Sequence, residues 1–177
     1  EASDLTNTQQ QSLYAIMDDN ASTTLVNPRT TLVQQTLTTS GASRSASSNV
    51  VDLTTGRGWF VDFPDSGERE HVAPKLENGT LLVPTTVPSN TVCSPGGTGW
   101  LNFFDYKTGS QVIGSTTVSS KTNAPIVGIN VYYIQGAPVV SVVTSDHPTP
   151  DVVPTVPFGN LSGGFQNKRV IWRELIQ

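Results

Sequence analysis

The chain has 177 residues, 14% of them charged, and carries a formal net charge of −4. This acidic balance argues against nucleic acid as a partner, because a phosphate-binding surface needs clustered Lys and Arg. No apolar run reaches the ~20 residues of a membrane-spanning helix, so we expect no membrane-spanning segment. Frequent Gly and Pro, abundant Ser and Thr, and scattered helix formers predict an exported, strand-rich protein.

Short strands separated by turns are predicted for the first half of the chain. Runs of apolar and β-branched residues predict strands over residues 12–17, 30–37, 59–63 and 80–86. The Asp-Asp-Asn sequence at 18–20 predicts a turn after the first strand, because short Asx side chains bond their own backbone. Residues 38–49 are rich in Ser, Thr and Gly, and predict an exposed loop.

The second half of the sequence predicts two β-hairpins, with long loops before and after them. Pro88, Pro95 and two glycines predict a loop over residues 87–98. The hairpins are predicted from strands 99–104 and 110–113 around a turn at 105–109, and from strands 125–134 and 139–144 around residues 135–137. Prolines 148, 150, 154 and 157 predict another loop, followed by a last strand over 168–175.

A short motif occurs twice. Gly-Trp-Phe-Val-Asp-Phe at 58–63 returns as Gly-Trp-Leu-Asn-Phe-Phe-Asp at 99–105, and each copy adjoins an Asp-x-x-Thr-Gly turn, at 52–56 and 105–109. The interval from Trp59 to Trp100 is that of propeller blades, which recur every ~40–50 residues. The repeat therefore predicts an all-β, β-propeller-like protein with Trp59, Trp100 and Trp172 packed between blades.

The length bounds the number of blades. The chain has sequence for roughly three or four antiparallel blades, whereas a closed ring typically has 4–8. We therefore expect residues 1–177 to be part of one propeller domain whose ring is completed by residues outside this chain. The first residue, Glu1, fits a fragment of a longer protein.

The motifs carry a resemblance to a known family. The chain resembles the C-terminal propeller of the PilY/PilC family of type IV pilus tip-associated adhesins and biogenesis factors. The resemblance rests on Gly58-Trp59-Phe60-Val61-Asp62-Phe63-Pro64, Gly67-Glu68-Arg69, Pro74, Pro88, Cys-Ser-Pro-Gly-Gly-Thr-Gly-Trp-Leu at 93–101, Asp105 and Thr108-Gly109. It extends to Leu13-Tyr14-Ala15-Ile16 near the start and to Arg-Val-Ile-Trp-Arg-Glu-Leu at 169–175.

The resemblance implies a role in pilus assembly. A protein of this kind is expected at the pilus tip, the outer-membrane surface or outside the cell. Its expected partners are minor pilins or the tip complex, the rest of its own propeller, and a host or abiotic surface. Binding there would favour pilus assembly over retraction, with surface adhesion supplied largely by a region outside this chain.

The resemblance raises the question of whether the chain has a calcium site. Similar proteins often carry a calcium loop in the last blades, but residues 106–145 contain no Asp or Glu to supply the 6–8 oxygen ligands. We therefore expect no cofactor and no metal site there. Asp146 and Asp151 are a weaker cation candidate, because Pro148 and Pro150 already explain an ordered loop.

No enzyme motif is complete, so no catalytic residue is assigned. Residues 145–147, Ser-Asp-His, lack a nucleophile elbow and are interpreted as a polar loop entry. His71 and His147 lack a spaced second ligand for a metal, and Glu68 and Glu70 are interpreted as a solvated strand edge. The glycines at 96–99 lack the following Lys of a phosphate loop and are assigned to turn geometry.

Cys93 is the single cysteine. It cannot form a disulfide within this chain, so it is interpreted as a structural thiol, or as one that pairs with a cysteine in another part of the full protein.

Partner contacts and two other classes of protein remain open. Contacts are expected in the loops over residues 38–49, 87–98 and 145–164, because propeller loops project from rigid blades. The Asp-x-x-Thr-Gly turns also occur in quinoprotein-type dehydrogenase propellers, which is one alternative. A secreted carbohydrate-binding propeller module is the other.

Overall fold

The computed structural model describes residues 7–18, 25–89, 96–153 and 156–158. Almost all regular structure in these ranges is β-strand, so the all-β prediction is confirmed. The strands are β1 Ser12–Ile16, β2 Val33–Gln35, β3 Leu37–Ser40, β4 Ser43–Ala46, β5 Gly58–Asp62, β6 Arg69–Glu70, β7 Lys75–Glu77, β8 Thr80–Pro88, β9 Gly97–Asp105, β10 Ser119–Thr122, β11 Ile126–Ile134, β12 Ala137–Thr144 and β13 His147–Val153, with one helical turn, α1 Pro28–Thr31.

The strands form three sheets. Sheet A has the order β1-β5-β2, in which β1 is antiparallel and β2 parallel to β5. Sheet B has the order β3-β4-β10-β9-β8-β6, with β7 also paired to β8, and all its pairings are antiparallel. Sheet C is the antiparallel set β11-β12-β13.

Sheet B is the middle layer, because its two faces bury different cores. Successive side chains of a strand point to opposite faces. On β9, Leu101 and Phe103 pack with Ile126, Ile129, Val140 and Val142 of sheet C. Phe104, on the opposite face, packs with Trp59 and Val61 of sheet A. Two hydrophobic cores therefore hold three stacked sheets together.

The two copies of the repeated motif meet in the core between sheets A and B. Trp59 of the first copy is 1% exposed, lies 5.6 Å from the ring of Phe104 of the second copy, and donates its indole N–H to the carbonyl oxygen of Tyr106 at 3.0 Å. Gly109, in the second turn, lies so close to Trp59 that an added Cβ would be 2.4 Å from the indole ring. The second turn therefore covers the tryptophan of the first motif.

The expected ring is not seen. The described residues form stacked sheets and show no closed barrel or propeller, so the propeller and its three or four blades stay a prediction. No helix in the described ranges is both long enough and apolar enough to cross a membrane.

The predicted strand over residues 30–37 is only partly correct. Its first residues belong to α1, because the side chain of Asn27 accepts a hydrogen bond from the Arg29 amide at 3.1 Å and Pro28 occupies the first turn. The remainder divides into β2, which joins sheet A, and the start of β3, which joins sheet B.

The predicted loop over residues 38–49 is wrong. Most of this segment forms the hairpin β3–β4, which turns at Gly41 with φ of 60°. The Ser/Thr-rich composition misled the prediction because the outer side chains are polar, while Arg44 on β4 is fully buried.

Proline positions explain two further corrections. β8 extends to Pro88, into the predicted loop over 87–98. Its internal Pro84 falls between the stretch paired to β7 and the stretch paired to β6, so its missing N–H removes no hydrogen bond to either of those strands. The prediction that Pro148 and Pro150 forbid pairing is wrong, because β13 is an edge strand of sheet C. Edge strands tolerate proline when its nitrogen faces away from the neighbouring strand.

The predicted hairpins have mixed outcomes. The hairpin of β11 and β12 is confirmed, with Gln135 and Gly136 as its turn residues. The turn at 105–109 is confirmed and Gly109 has φ of 69°, but residues 110–113 form no strand and β9 pairs with β10 instead. Predictions for Asp19, Asn20, Cys93, Pro154 and residues 159–177 lie outside the described residues.

Gly109→Ala should destabilise the protein more than Gly41→Ala. Both glycines have positive φ, so each alanine is destabilised by a left-handed backbone conformation. A Cβ at Gly41, however, meets nothing within 4 Å. The clash with Trp59 should therefore add about 1–3 kcal/mol to the loss at Gly109. Urea unfolding of both variants measures the difference, and equal losses would show that Trp59 is not held by this glycine.

Candidate functional site

The two Asp-x-x-Thr-Gly turns have the same local chemistry. In the first, Asp52 accepts hydrogen bonds from the Thr54 amide at 2.8 Å and from the Thr54 and Thr55 hydroxyls at 2.6 and 2.8 Å. These bonds stabilise the ionised carboxylate and lower the pKa of Asp52 to about 2. In the second turn, Asp105 accepts from the amides of Lys107 and Thr108 at 2.9 and 3.0 Å. Both aspartates are thus used to fix backbone conformation.

An apolar groove of about 310 Å³ lies between these turns. Both copies of the repeat contribute to it: Gly58 and Trp59 from the first motif, Leu53 from the first turn, and Tyr106 and Lys107 from the second turn. The remaining lining comes from the end of β1 and from β7 and β8. Three of the lining residues are exposed apolar side chains: Ile16 at 54%, Leu76 at 57% and Tyr106 at 38%. We call this surface the repeat groove.

A buried ion pair lies at the other end of the interface between sheets A and B. Arg44 donates two hydrogen bonds of 2.8 Å to the two carboxylate oxygens of Glu68, and both side chains are fully buried. A second carboxylate, that of Asp65, lies 3.0 Å from the Arg44 guanidinium. The prediction that Glu68 lies on a solvated edge is wrong, whereas Glu70 is exposed as predicted.

The guanidinium of this pair is also stacked on an aromatic ring. The Arg44 guanidinium carbon lies 3.8 Å from the ring centroid of Trp100, the tryptophan of the second motif. The Trp100 indole N–H donates to Asp65 at 2.8 Å, which fixes the ring against the ion pair. The second tryptophan is therefore fully buried, like the first, but against charge instead of against apolar side chains.

Neutral polar side chains complete the network. The Thr85 hydroxyl donates to Glu68 at 2.6 Å, the Asn102 amide donates to the Thr85 hydroxyl at 3.2 Å, and the Ser119 hydroxyl donates to Asn102 at 2.6 Å. These residues come from β8, β9 and β10, so the network crosses sheet B. The charged groups of Arg44 and Glu68 are buried and therefore inaccessible to a substrate. We interpret the network as fixing the register and spacing of the sheets.

A separate charged cluster lies on the outer face of sheet A. Arg29 bonds both carboxylate oxygens of Asp62, at 3.0 and 2.6 Å, and covers the ring of Phe60 at 4.9 Å. The hydrogen bonds to Asp62 and Tyr14 raise the pKa of Arg29. Burial alone would raise the pKa of Asp62, but the bonds from Arg29 and Ser12 outweigh it and hold the value below normal. This cluster closes the outer face of sheet A around Phe60.

The histidines and the carboxylates considered above for catalysis or metal binding form no shared site within the described ranges. His71 is exposed and lies between β6 and β7, whereas Asp146 and His147 are exposed at the turn between β12 and β13. Across the described ranges, no group of three His, Cys, Asp or Glu side chains is placed to hold a metal ion. The residues that sequence reasoning missed are Arg44 and Asp65, and their only sequence signal is a charge inside an otherwise Ser-rich or turn-forming segment.

No protein-family model, no curated protein and no solved structure matches the chain.

Arg44→Met should cost about 3–5 kcal/mol of folding stability, because it leaves the Glu68 carboxylate buried without its partner. Arg29→Met removes an ion pair whose arginine is 47% exposed, and should change stability far less. Chemical denaturation of both variants makes the comparison.

The double variant Arg44→Met/Glu68→Leu should recover much of that loss, because a hydrophobic pair replaces a buried ion pair at little cost. A double variant as unstable as Arg44→Met would show that packing on Trp100, and not the unpaired charge, dominates.

Proposed function

We propose that this chain is a non-enzymatic binding segment of a type IV pilus biogenesis factor and tip-associated adhesin, similar to the C-terminal propeller of the PilY/PilC family. In this role it binds minor pilins at the pilus tip and favours assembly over retraction. The observation that carries the proposal is the convergence of the repeat. Residues that carry the resemblance, from Gly58 to Gly109, cover one another in the core and line one exposed apolar groove.

The placement of the charged residues supports binding over catalysis. Arg44 and Glu68 neutralise each other inside the protein, and Asp52 and Asp105 hold turns. Each of these groups therefore has a structural use in the fold. A rigid scaffold with an exposed apolar surface is the physical requirement for a binding module.

The repeat groove is the surface that we propose for the pilin contact. Its occupant would be an apolar segment of a minor pilin, because the groove wall combines Trp59, Leu81 and Ile16 with little polar surface. The turns on either side are fixed by the hydrogen bonds of Asp52 and Asp105, so the groove needs little rearrangement to bind.

Binding at the tip acts on assembly by mass action. A protein that binds the assembled tip complex, but not the separated pilins, shifts the equilibrium towards the assembled state by its differential affinity. Retraction must then overcome that binding energy.

Deletion of this segment from the full-length protein should abolish surface pili while the retraction motor is present. Removal of the motor from the same cells should restore them, because assembly no longer competes with retraction. Counting pili per cell by electron microscopy in the four strains makes the test. Unchanged pilus numbers in both motor backgrounds would refute a role in assembly against retraction.

Leu76→Glu should reduce the pilus count as the deletion does. A carboxylate in the groove must be desolvated on binding, which should weaken a pilin contact about tenfold or more. Leu76 is 57% exposed, so the folded protein should tolerate the change. Ile113→Glu, at a residue that is 91% exposed and outside the groove, is the matched control. Equal pilus counts for the two variants would remove the groove from the proposal.

A further inference from the structure

A polar cleft lies at the junction of sheets B and C, distant in the fold from the turns that line the repeat groove. It consists of two adjoining cavities, of about 620 and 320 Å³, which share Asn123, Ala124 and Asp146. The larger cavity is bounded by the adjoining ends of β8 and β9, and the smaller by the end of β10 and by His147. Pockets for small ligands typically measure ~300–1,000 Å³, so each cavity has room for a ligand.

Hydrogen bonds to backbone carbonyl oxygens connect the segments that line the cleft. The Ser145 amide donates to the carbonyl oxygen of Pro125 at 2.9 Å, which ties the β12–β13 turn to the loop before β11. The Thr122 hydroxyl donates to the carbonyl oxygen of Ala124 at 2.7 Å, and the Ser89 amide donates to that of Gly96 at 3.1 Å. Hydrogen bonds therefore join the β12–β13 turn to the loop before β11, and the end of β8 to Gly96 beside β9.

Side chains in this cleft are available for hydrogen bonding. The side chains of Asn123, Asp146 and His147 are exposed, and within the described part of the chain no hydrogen bond or ion pair joins any of these three side chains to another residue. This contrasts with Asp52, Asp62 and Asp105, whose oxygens are used by neighbouring groups.

The kinds of group present select the ligand class. Asp146 offers acceptors, and Asn123 and His147 offer both donors and acceptors, whereas the Lys121 ammonium lies 5.4 Å from the ring centroid of Trp100. Hydroxyl groups of a sugar donate and accept, so they match such a mixed set. The carboxylate of Asp146 disfavours an anion. Pro88, Val87 and Ala124 supply apolar wall for the C–H faces of a sugar ring.

From these observations we infer that the polar cleft binds a short neutral oligosaccharide through Asn123, Asp146 and His147. The inference names a ligand for the surface-attachment part of the proposed function and rests on that function for its biological role. The binding step itself involves none of the residues of the repeat groove.

The test is saturable binding of the full 177-residue chain to an array of defined neutral and acidic oligosaccharides, followed by titration of the best neutral oligosaccharide. Asp146→Ala and Asn123→Ala should each weaken its affinity about tenfold or more, because each removes a hydrogen bond to the ligand. Glu70→Ala removes another exposed carboxylate and Asn130→Ala another exposed amide, both at positions that line neither cavity, and each should leave the affinity unchanged. Thermal unfolding of all four variants verifies that each is folded.

Two results would overturn the inference: no saturable binding to any neutral oligosaccharide, or binding that Asp146→Ala and Asn123→Ala leave intact. Selective binding of acidic oligosaccharides would also overturn it. Pilus counts separate this outcome from the fate of the proposed function. If the chain binds neutral oligosaccharides but does not affect piliation, sugar binding at the cleft is supported and the assembly role is refuted. If the chain binds no oligosaccharide but restores normal pilus numbers, only sugar binding at the cleft is refuted.

Discussion

The paired Arg44 and Glu68 side chains set the constraint on which the layered structure depends. A buried arginine is tolerated only where its charge and its donors are matched, and here Glu68, Asp65 and the face of Trp100 supply that match together. The partners belong to the middle sheet and to the segment that follows β5 of sheet A. A shift of β4 by one residue would turn the guanidinium to the opposite face of sheet B and leave the Glu68 carboxylate buried without its partner.

The two tryptophans of the repeat show how one motif serves two environments. Trp59 packs in an apolar core under the turn that contains Gly109, whereas Trp100 packs under a guanidinium. Both indole N–H groups are bonded, one to a backbone carbonyl and one to a carboxylate. Each ring thus buries a large apolar area without leaving its polar atom unsatisfied. The two tryptophans of the repeated motif are therefore alike in being buried, but they differ in the groups that surround them.

The two surfaces proposed for binding lie where the packed cores end at the protein surface. The stacking of sheets A and B brings both Asp-x-x-Thr-Gly turns to one end, where apolar side chains form the repeat groove. The stacking of sheet C on sheet B places the loop at Asn123 beside the turn at Asp146, where polar side chains form the cleft. One surface suits an apolar protein segment and the other a hydroxyl-rich ligand, so the proposed assembly role and the proposed sugar binding can be separated by mutation.

The sequence by itself determined the all-β class, the strands around Trp59 and Trp100, the turn at Gly109 and the hairpin of β11 and β12, because apolar alternation and Asx or Gly turn chemistry act over a few residues. Only the tertiary structure decided that residues 38–49 form a hairpin, that β13 tolerates its prolines, and that Arg44 and Glu68 are buried together. Composition described the first two segments as loops, since strand pairing depends on which neighbour is present and which edge is open. The pairing of Arg44 with Glu68, and the meeting of Asn123 with Asp146 in the cleft, join residues more than 20 positions apart. No local pattern contains that information, because it arises only when the three sheets stack.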